Sequence, residues 1–224
     1  MKLFMKEFLG PAFPPIFHKW FLSAFPEPNR WLNSRLNYAR TIAVWSMVGF
    51  VVGLGDRHNE NILIDMSSGE AVHVDFSCLF DKGKTLDTPE TVPFRLTNNL
   101  LDGLGVSGHE GIFRKASEMC MAVLRENQET LMSVLDSFVH DPLVEWEKNS
   151  SGGGVGGRSG AGVVGESVNE DAEKHLNIIR GRLHGETPGA AKPLPVAGQV
   201  HQLIVEATSI DNLSKMYIWW MPWM

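Results

Sequence analysis

The sequence is short of cysteine and of basic residues. Its two cysteines, Cys78 and Cys120, cannot build a disulfide framework, so we expect a reducing compartment. The 20 Lys and Arg residues are outnumbered by 26 Asp and Glu, which gives a formal net charge of −6. General binding to polyanions needs a basic face, so direct nucleic-acid binding by this segment is not expected.

Long apolar runs are also missing. The longest, Ile42–Gly55, is bounded by Arg40 and Asp56, and it is shorter than the roughly 20 residues that cross a bilayer. It predicts a buried helix and no transmembrane segment. Charge interrupts the opening Met1–Glu7 at once, so no signal peptide is expected.

The apolar share of 43% is ordinary for a folded chain with a core. Proline positions and apolar spacing predict helices over Pro15–Phe25 and Arg30–Gly53. Two short strand-like runs, Asn61–Asp65 and Glu70–Phe76, flank turn residues and predict a β-hairpin. Residues 77–96 lack any period and predict a long functional loop.

The rest of the chain predicts further helices around a glycine-rich stretch. A capping box at Ser107 and Glu110 predicts the start of one helix. Asn149–Gly165 predicts a flexible linker. Apolar spacing and charge order predict three more helices, at Leu131–Val139, Glu166–His184 and Val196–Ala207. The fold class is therefore mainly α with a small β-hairpin.

The hairpin and its flanks hold the strongest chemical signal. Asp56 and Asn61 are five positions apart, and Asp75 follows on the second strand. Phosphoryl transfer needs a carboxylate near the attacking hydroxyl and oxygen ligands for Mg²⁺, and protein kinases supply them in this order. Each residue alone is a weak signal, since an Asp after glycine is more often a turn residue. Their joint spacing favours a kinase.

The residue order within these two segments is specific. Gly55–Leu63 reads GDRHNENIL and His73–Phe76 reads HVDF. The order Asp-Arg-His reverses the His-Arg-Asp of ordinary protein kinases, and both segments resemble the phosphatidylinositol 3-kinase-related family. The resemblance implies a kinase C-lobe that uses ATP and Mg²⁺, with Mn²⁺ as an alternative.

The resemblance also implies individual roles. It implies that Asp56 acts on the substrate hydroxyl and that His58 assists at the transferring phosphate. Asn61 and Asp75 would hold the metal, and Leu63 and Val74 would form the floor of the adenine pocket. Arg57 is interpreted as structural, tying the loop to the acidic motif.

Two features favour a protein kinase over the lipid kinases that share this core. Basic residues in loop 77–96 are offset by acidic ones, whereas a phosphoinositide headgroup would favour a more basic loop. The ending Val205–Met224 resembles the FATC domain of the protein-kinase branch. Its Trp219, Trp220 and Trp223 would pack against the C-lobe beside the activation loop, residues 77–96, with a membrane or partner contact as the alternative.

The resemblance implies three regions: a PI3/PI4-kinase-type catalytic C-lobe at 1–147, a glycine-rich linker with a regulatory helix at 148–191, and FATC at 192–224. Pro15–Leu22, Val92–Thr97 and His140–Trp146 are most similar to the checkpoint kinases of the family. They imply a nuclear serine/threonine kinase of DNA-damage signalling that prefers Ser or Thr before Gln. Protein substrates and regulatory subunits on FATC and the linker are implied as partners. A lipid kinase and a non-catalytic interaction fragment remain alternatives.

The resemblance implies a kinase N-lobe, which these 224 residues do not contain. We therefore expect the 224-residue chain alone to have little or no kinase activity. The measurement is ³²P transfer from Mg-ATP to protein and peptide substrates by the purified chain. Robust ATP-dependent phosphorylation would contradict this expectation.

Overall fold

A computed structural model of the chain describes residues 2–139, 163–187 and 191–224. Short helical turns over Lys2–Phe4, Met5–Leu9 and Gly10–Ala12 precede the longer elements. The elements that follow are α1 (Phe17–Ala24), α2 (Pro28–Val52), β1 (Ile62–Ile64), β2 (Ala71–His73), α3 (Asn98–Leu104), α4 (Ile112–Glu126), α5 (Gln128–Val139), α6 (Val163–His184), α7 (Val196–Thr208) and α8 (Ile210–Leu213). The predicted mainly helical class with one hairpin is confirmed. Among the helices that the structure describes, none is long and apolar enough to cross a membrane.

Helix α2 leads the chain from the surface to the candidate site. Pro28 occupies its first turn, where a missing N–H costs nothing. Its end is a Schellman motif: Gly53 has a φ of 66°, and the Leu54 N–H donates to the Gly49 carbonyl at 2.8 Å. The predicted helix Arg30–Gly53 is thus confirmed within two residues at each end, and its stop aims the following loop.

The predicted hairpin is confirmed but shorter. Strands β1 and β2 pair antiparallel, with Leu63 opposite Val72. The Asp65 carboxylate accepts the Ser67 backbone N–H at 2.6 Å and closes the turn. The second strand ends at His73, before the predicted Phe76, because the chain turns away after Val74.

Two sequence predictions differ from the structure. The capping box at Ser107 and Glu110 is wrong: a 3₁₀ turn, Gly108–Glu110, intervenes, and α4 begins at Ile112. The Glu110 carboxylate instead binds the Arg114 guanidinium at 2.6 and 2.7 Å. The predicted linker reaches Gly165, whereas α6 already begins at Val163.

Other predicted features lie outside the described residues. They are the linker over 149–162 and the helix stop at His140-Asp141-Pro142.

The main core joins the helices on either side of the hairpin to α7. Helix α7 buries Val200, Leu203 and Ile204 in the same cluster as Tyr38 of α2 and Phe113 of α4. Burial of each such side chain contributes about 1.5–3 kcal/mol. The segment predicted as FATC therefore packs into the core of the segment predicted as catalytic.

Helix α6 is joined to loop 77–96 by an ion pair. The Arg182 guanidinium binds both carboxylate oxygens of Asp81 at 2.6 and 2.7 Å and donates to the Phe50 carbonyl at 2.9 Å. Burial raises the pKa of the Asp81 carboxyl, but the charges and hydrogen bonds of Arg182 and Lys84 together hold that pKa below its usual range. The loop is thus fixed at its first third.

Gly53→Ala is expected to lower the free energy of unfolding by about 1–3 kcal/mol. Its left-handed φ strains any side chain, and a Cβ there would lie 2.6 Å from the Asp81 nitrogen. Gly198→Ala in α7 is the matched control: its Cβ would meet only ordinary contacts at 3.5 Å, so this change should raise stability by about 0.5–1 kcal/mol. Urea unfolding measures both, and equal effects would contradict the assignment.

Candidate active site

The loop between α2 and β1 places Asp56 at the surface of a cleft. Asp56 has a φ of 57°, in the left-handed region that non-glycine residues rarely adopt. Its backbone N–H donates to Glu90 Oε1 at 2.8 Å, and its carbonyl accepts from the Asn61 side-chain amide at 2.7 Å. Both backbone groups are therefore held, which fixes the direction of the carboxylate.

Arg57 joins this loop to the segment after β2. Its buried guanidinium donates to the Gly55 carbonyl at 2.8 Å, to the Val74 carbonyl at 2.7 Å and to the Asp75 carbonyl. Burial lowers the pKa of Arg57, and the neighbouring Asp56 and Asp75 charges oppose that shift. The structural interpretation of Arg57 is confirmed by these contacts.

Asp75 also adopts a left-handed conformation, with a φ of 59°. Its exposed carboxylate accepts the Ser77 backbone N–H at 2.9 Å. Hydrogen bonding from Ser77 lowers the pKa of Asp75, so the group is an ionised oxygen donor at neutral pH. Such oxygens are the ligands that Mg²⁺ prefers.

Asn61 is the buried last residue of the 3₁₀ turn Asn59–Asn61, directly before β1. Because its amide nitrogen donates to Asp56, its Oδ1 is the atom left to bind a cation. Across residues 2–139, 163–187 and 191–224, no group of three or more His, Cys, Asp or Glu side chains could hold a metal. A cation at this site would need Asn61 Oδ1 and the Asp75 carboxylate, together with oxygens from a bound substrate.

His58 lies beside Asp56 on the same loop. Its Nδ1 lies 3.2 Å from the Glu60 backbone nitrogen, which can only donate. Nδ1 therefore accepts, and the proton of the neutral ring lies on Nε2. Nε2 has no hydrogen-bond partner among the described residues, so its N–H is available to an anionic group in the cleft.

The hairpin offers an apolar platform next to these groups. Leu63 and Val72 lie opposite each other and expose 49% and 43% of their surface. Val74 is half-buried and follows Val72 by two positions, on the same face. The family resemblance implied Leu63 and Val74 but not Val72, which strand alternation could have added.

A cleft of about 730 Å³ extends from Asp56 and His58 between loop 77–96 and the C-terminal segment. Its far wall includes Trp219, which is 69% exposed, and Trp220, which is 4% exposed. The Arg95 guanidinium lies 4.3 Å from the Trp220 ring centroid. Packing beside the activation loop is thus confirmed for Trp220 and for Trp223, which packs against the same buried cluster together with Val92, whereas Trp219 faces the cleft.

Sequence reasoning did not assign Glu90 or Arg95 to the site. Glu90 was counted only as a loop charge, yet it binds the backbone of Asp56. Arg95 was counted as a loop cation, yet it is 3% exposed and donates to the Trp220 carbonyl at 2.6 Å. Neither contact has a local sequence signal, because the partners are 34 and 125 positions away.

The chain is similar to known kinases over nearly its whole length. Residues 3–148 match the family described as phosphatidylinositol 3- and 4-kinase, and residues 193–224 match the FATC domain. It is 56% identical over 98% of its length to serine/threonine-protein kinase ATR of Arabidopsis thaliana, and 53% identical over 97% to protein kinase rad3 of Schizosaccharomyces pombe. It spans only 8% and 9% of those proteins.

A solved structure gives the same picture. The FAT and kinase domain of CtTel1 superposes with a TM-score of 0.78 at 37% sequence identity. The match covers 94% of this chain and 14% of that one.

Arg57→Lys is expected to lower the free energy of unfolding by about 2–3 kcal/mol, because an ammonium cannot reach three carbonyls as the guanidinium fork does. Urea unfolding measures the loss. Arg30→Lys on the exposed start of α2 is the matched control and should change stability by less than about 0.5 kcal/mol. Equal stability of both variants would show that the fork does not hold the loop.

Proposed function

The chain belongs to the phosphatidylinositol 3- and 4-kinase family, and we propose that it forms the catalytic C-lobe and FATC segment of a serine/threonine protein kinase. The parent protein transfers the ATP γ-phosphoryl group to protein Ser or Thr, preferentially before Gln. It acts in DNA-damage checkpoint signalling in the nucleus. The names of the similar kinases and the FATC match support this proposal.

One observation carries the proposal: Arg57 and Asn61 bring the Asp56 loop and the Asp75 turn together at one edge of the hairpin. In phosphoryl transfer the protein mainly positions reactants and stabilises charge. The Asp56 carboxylate orients the substrate hydroxyl and accepts its proton. The His58 Nε2–H donates to the phosphoryl group that is transferred.

Asn61 Oδ1 and the Asp75 carboxylate suit a hard divalent cation, because both are oxygen donors and Asp75 is ionised. Bound Mg²⁺ would neutralise charge on the ATP phosphates. Leu63, Val72 and Val74 form the apolar floor for the adenine ring. The choice of Mg²⁺ over Mn²⁺ rests on the family resemblance.

The charges of the loop favour a protein over a phosphoinositide substrate. Arg95 is buried, and Lys84 is paired with Asp81 at 3.0 Å. The third cation of loop 77–96 is Lys82, which has no ion-pair partner among the described residues and alone of the three is left to meet a phosphorylated headgroup. The exposed Trp219 ring and Tyr217 in the cleft suit a peptide better.

Regulatory protein subunits are proposed to bind the C-terminal segment. Tyr217, Ile218 and Trp219 expose 53%, 51% and 69% of their surface in consecutive positions. Such a run of exposed apolar side chains suits a protein contact.

Asp75→Ala in the full-length protein is expected to lower kcat by at least about 1,000-fold, because the cation loses its charged ligand. The measurement is initial rates on a Ser-Gln peptide, a Ser-Ala peptide and phosphoinositide vesicles. Asp65→Asn is the matched control, since it keeps the hairpin turn and should retain full activity. Undiminished activity of Asp75→Ala would refute the metal site, and preference for the vesicles would favour a lipid kinase.

A further inference from the structure

Glu90 lies in the activation loop, and its side chain contacts the loop between α2 and β1, which carries Asp56. Its Oε1 accepts the Asp56 backbone N–H at 2.8 Å, while its own backbone N–H donates to the Gly83 carbonyl at 2.9 Å. The side chain is half-buried. A carboxylate in such a place requires a reason, because burial without a cation is unfavourable.

Two glycines, Gly55 and Gly83, leave the space that the Glu90 carboxylate occupies. A Cβ at Gly83 would lie 2.1 Å from Glu90 Oε2, and a Cβ at Gly55 would lie 2.5 Å from the same atom. Neither glycine has the left-handed φ that would by itself favour glycine. The space that both glycines leave is therefore occupied by the carboxylate.

The Glu90 contact stabilises the Asp56 backbone in a conformation that is unfavourable by itself. A left-handed φ costs a non-glycine residue about 1–2 kcal/mol, and Asp56 adopts one. The Asn61 amide holds the Asp56 carbonyl from one side, and Glu90 holds its N–H from the other. Loss of either contact frees the peptide groups that aim the Asp56 carboxylate.

An ion-pair role fits Glu90 poorly. Among the described residues, no Lys or Arg forms a salt bridge with it, and the nearby Arg57 directs its fork at backbone carbonyls. Burial raises the pKa of the Glu90 carboxyl, whereas a paired carboxylate would have a lowered pKa. The geometry is that of a hydrogen-bond acceptor.

We propose that Glu90 is a positioning residue that holds the Asp56 backbone in its left-handed conformation by accepting its N–H. This rests on the proposed role of Asp56 at the substrate hydroxyl. Glu90 touches no reacting atom, so its loss affects kcat more than the KM for ATP, whose proposed contacts lie at Leu63, Asn61 and Asp75.

The test compares Glu90→Gln with Glu90→Met in the full-length protein. Both side chains are uncharged and similar in size, but only Gln retains an acceptor. We expect Gln to keep kcat within about threefold and Met to lower it by about 10- to 100-fold, since small misplacements of a reacting group have effects of that size. The KM for ATP should stay within about twofold in both. Glu70→Ala, at the exposed hairpin turn, is the control for removing a carboxylate.

A second variant tests the same contact in case Glu90→Met misfolds. Gly83→Ala displaces the carboxylate without altering Glu90 and should lower kcat by the same factor. Combined with Glu90→Met it should cause no further loss, because both changes break one contact. Thermal unfolding of each variant separates a loss of fold from a loss of positioning.

The outcomes are distinguishable. Equal losses for Gln and Met, or full activity of Met, would overturn the positioning role. Asp56→Asn tests the proposed function separately: if that variant stays active, the role of Asp56 itself fails, whatever Glu90 does. Inactive Asp56→Asn together with fully active Glu90→Met would refute the Glu90 inference alone.

Discussion

The buried Arg95 guanidinium is the constraint on which the site depends. A buried cation is unfavourable by several kcal/mol unless acceptors surround it. Arg95 finds them in two distant segments: the Asn59 side chain in the loop between α2 and β1, and the Trp220 and Met221 carbonyls of the C-terminal segment. Burial lowers the pKa of Arg95, yet a guanidinium keeps its proton in proteins. Neither segment can leave without exposing an unsatisfied charge.

A second guanidinium, that of Arg57, explains why two strained aspartates can persist in this site. Asp56 and Asp75 each adopt a left-handed φ, a state that endures only where neighbouring groups determine it. Arg57 contacts the backbone on both sides, at Gly55 and at Asp75. The Asp75 conformation also ends the pairing of β2, so its carboxylate emerges from the hairpin instead of lying in the sheet.

The activation loop lies between helix α6 and the loop that carries Asp56. Its first third is fixed to α6 by Arg182 and Asp81, and its later part is fixed to the loop between α2 and β1 by Glu90. The cleft that remains has Asp56 and His58 on one side and aromatic side chains of the C-terminal segment on the other. A substrate chain in that cleft would contact both, so the C-terminal segment is placed to influence substrate binding as well as stability.

Local information in the sequence determined the helices and the hairpin and singled out the candidate set Asp56, Asn61 and Asp75, because their signals lie in spacings of a few residues and in short motifs. The failed capping box shows the limit of such signals: Glu110 had a better partner in Arg114. Only the tertiary structure decided how the aspartates are aimed. Glu90 and Arg95 act on residues that are distant in the chain, and their burial and acceptors exist only after the C-terminal segment has packed against the core.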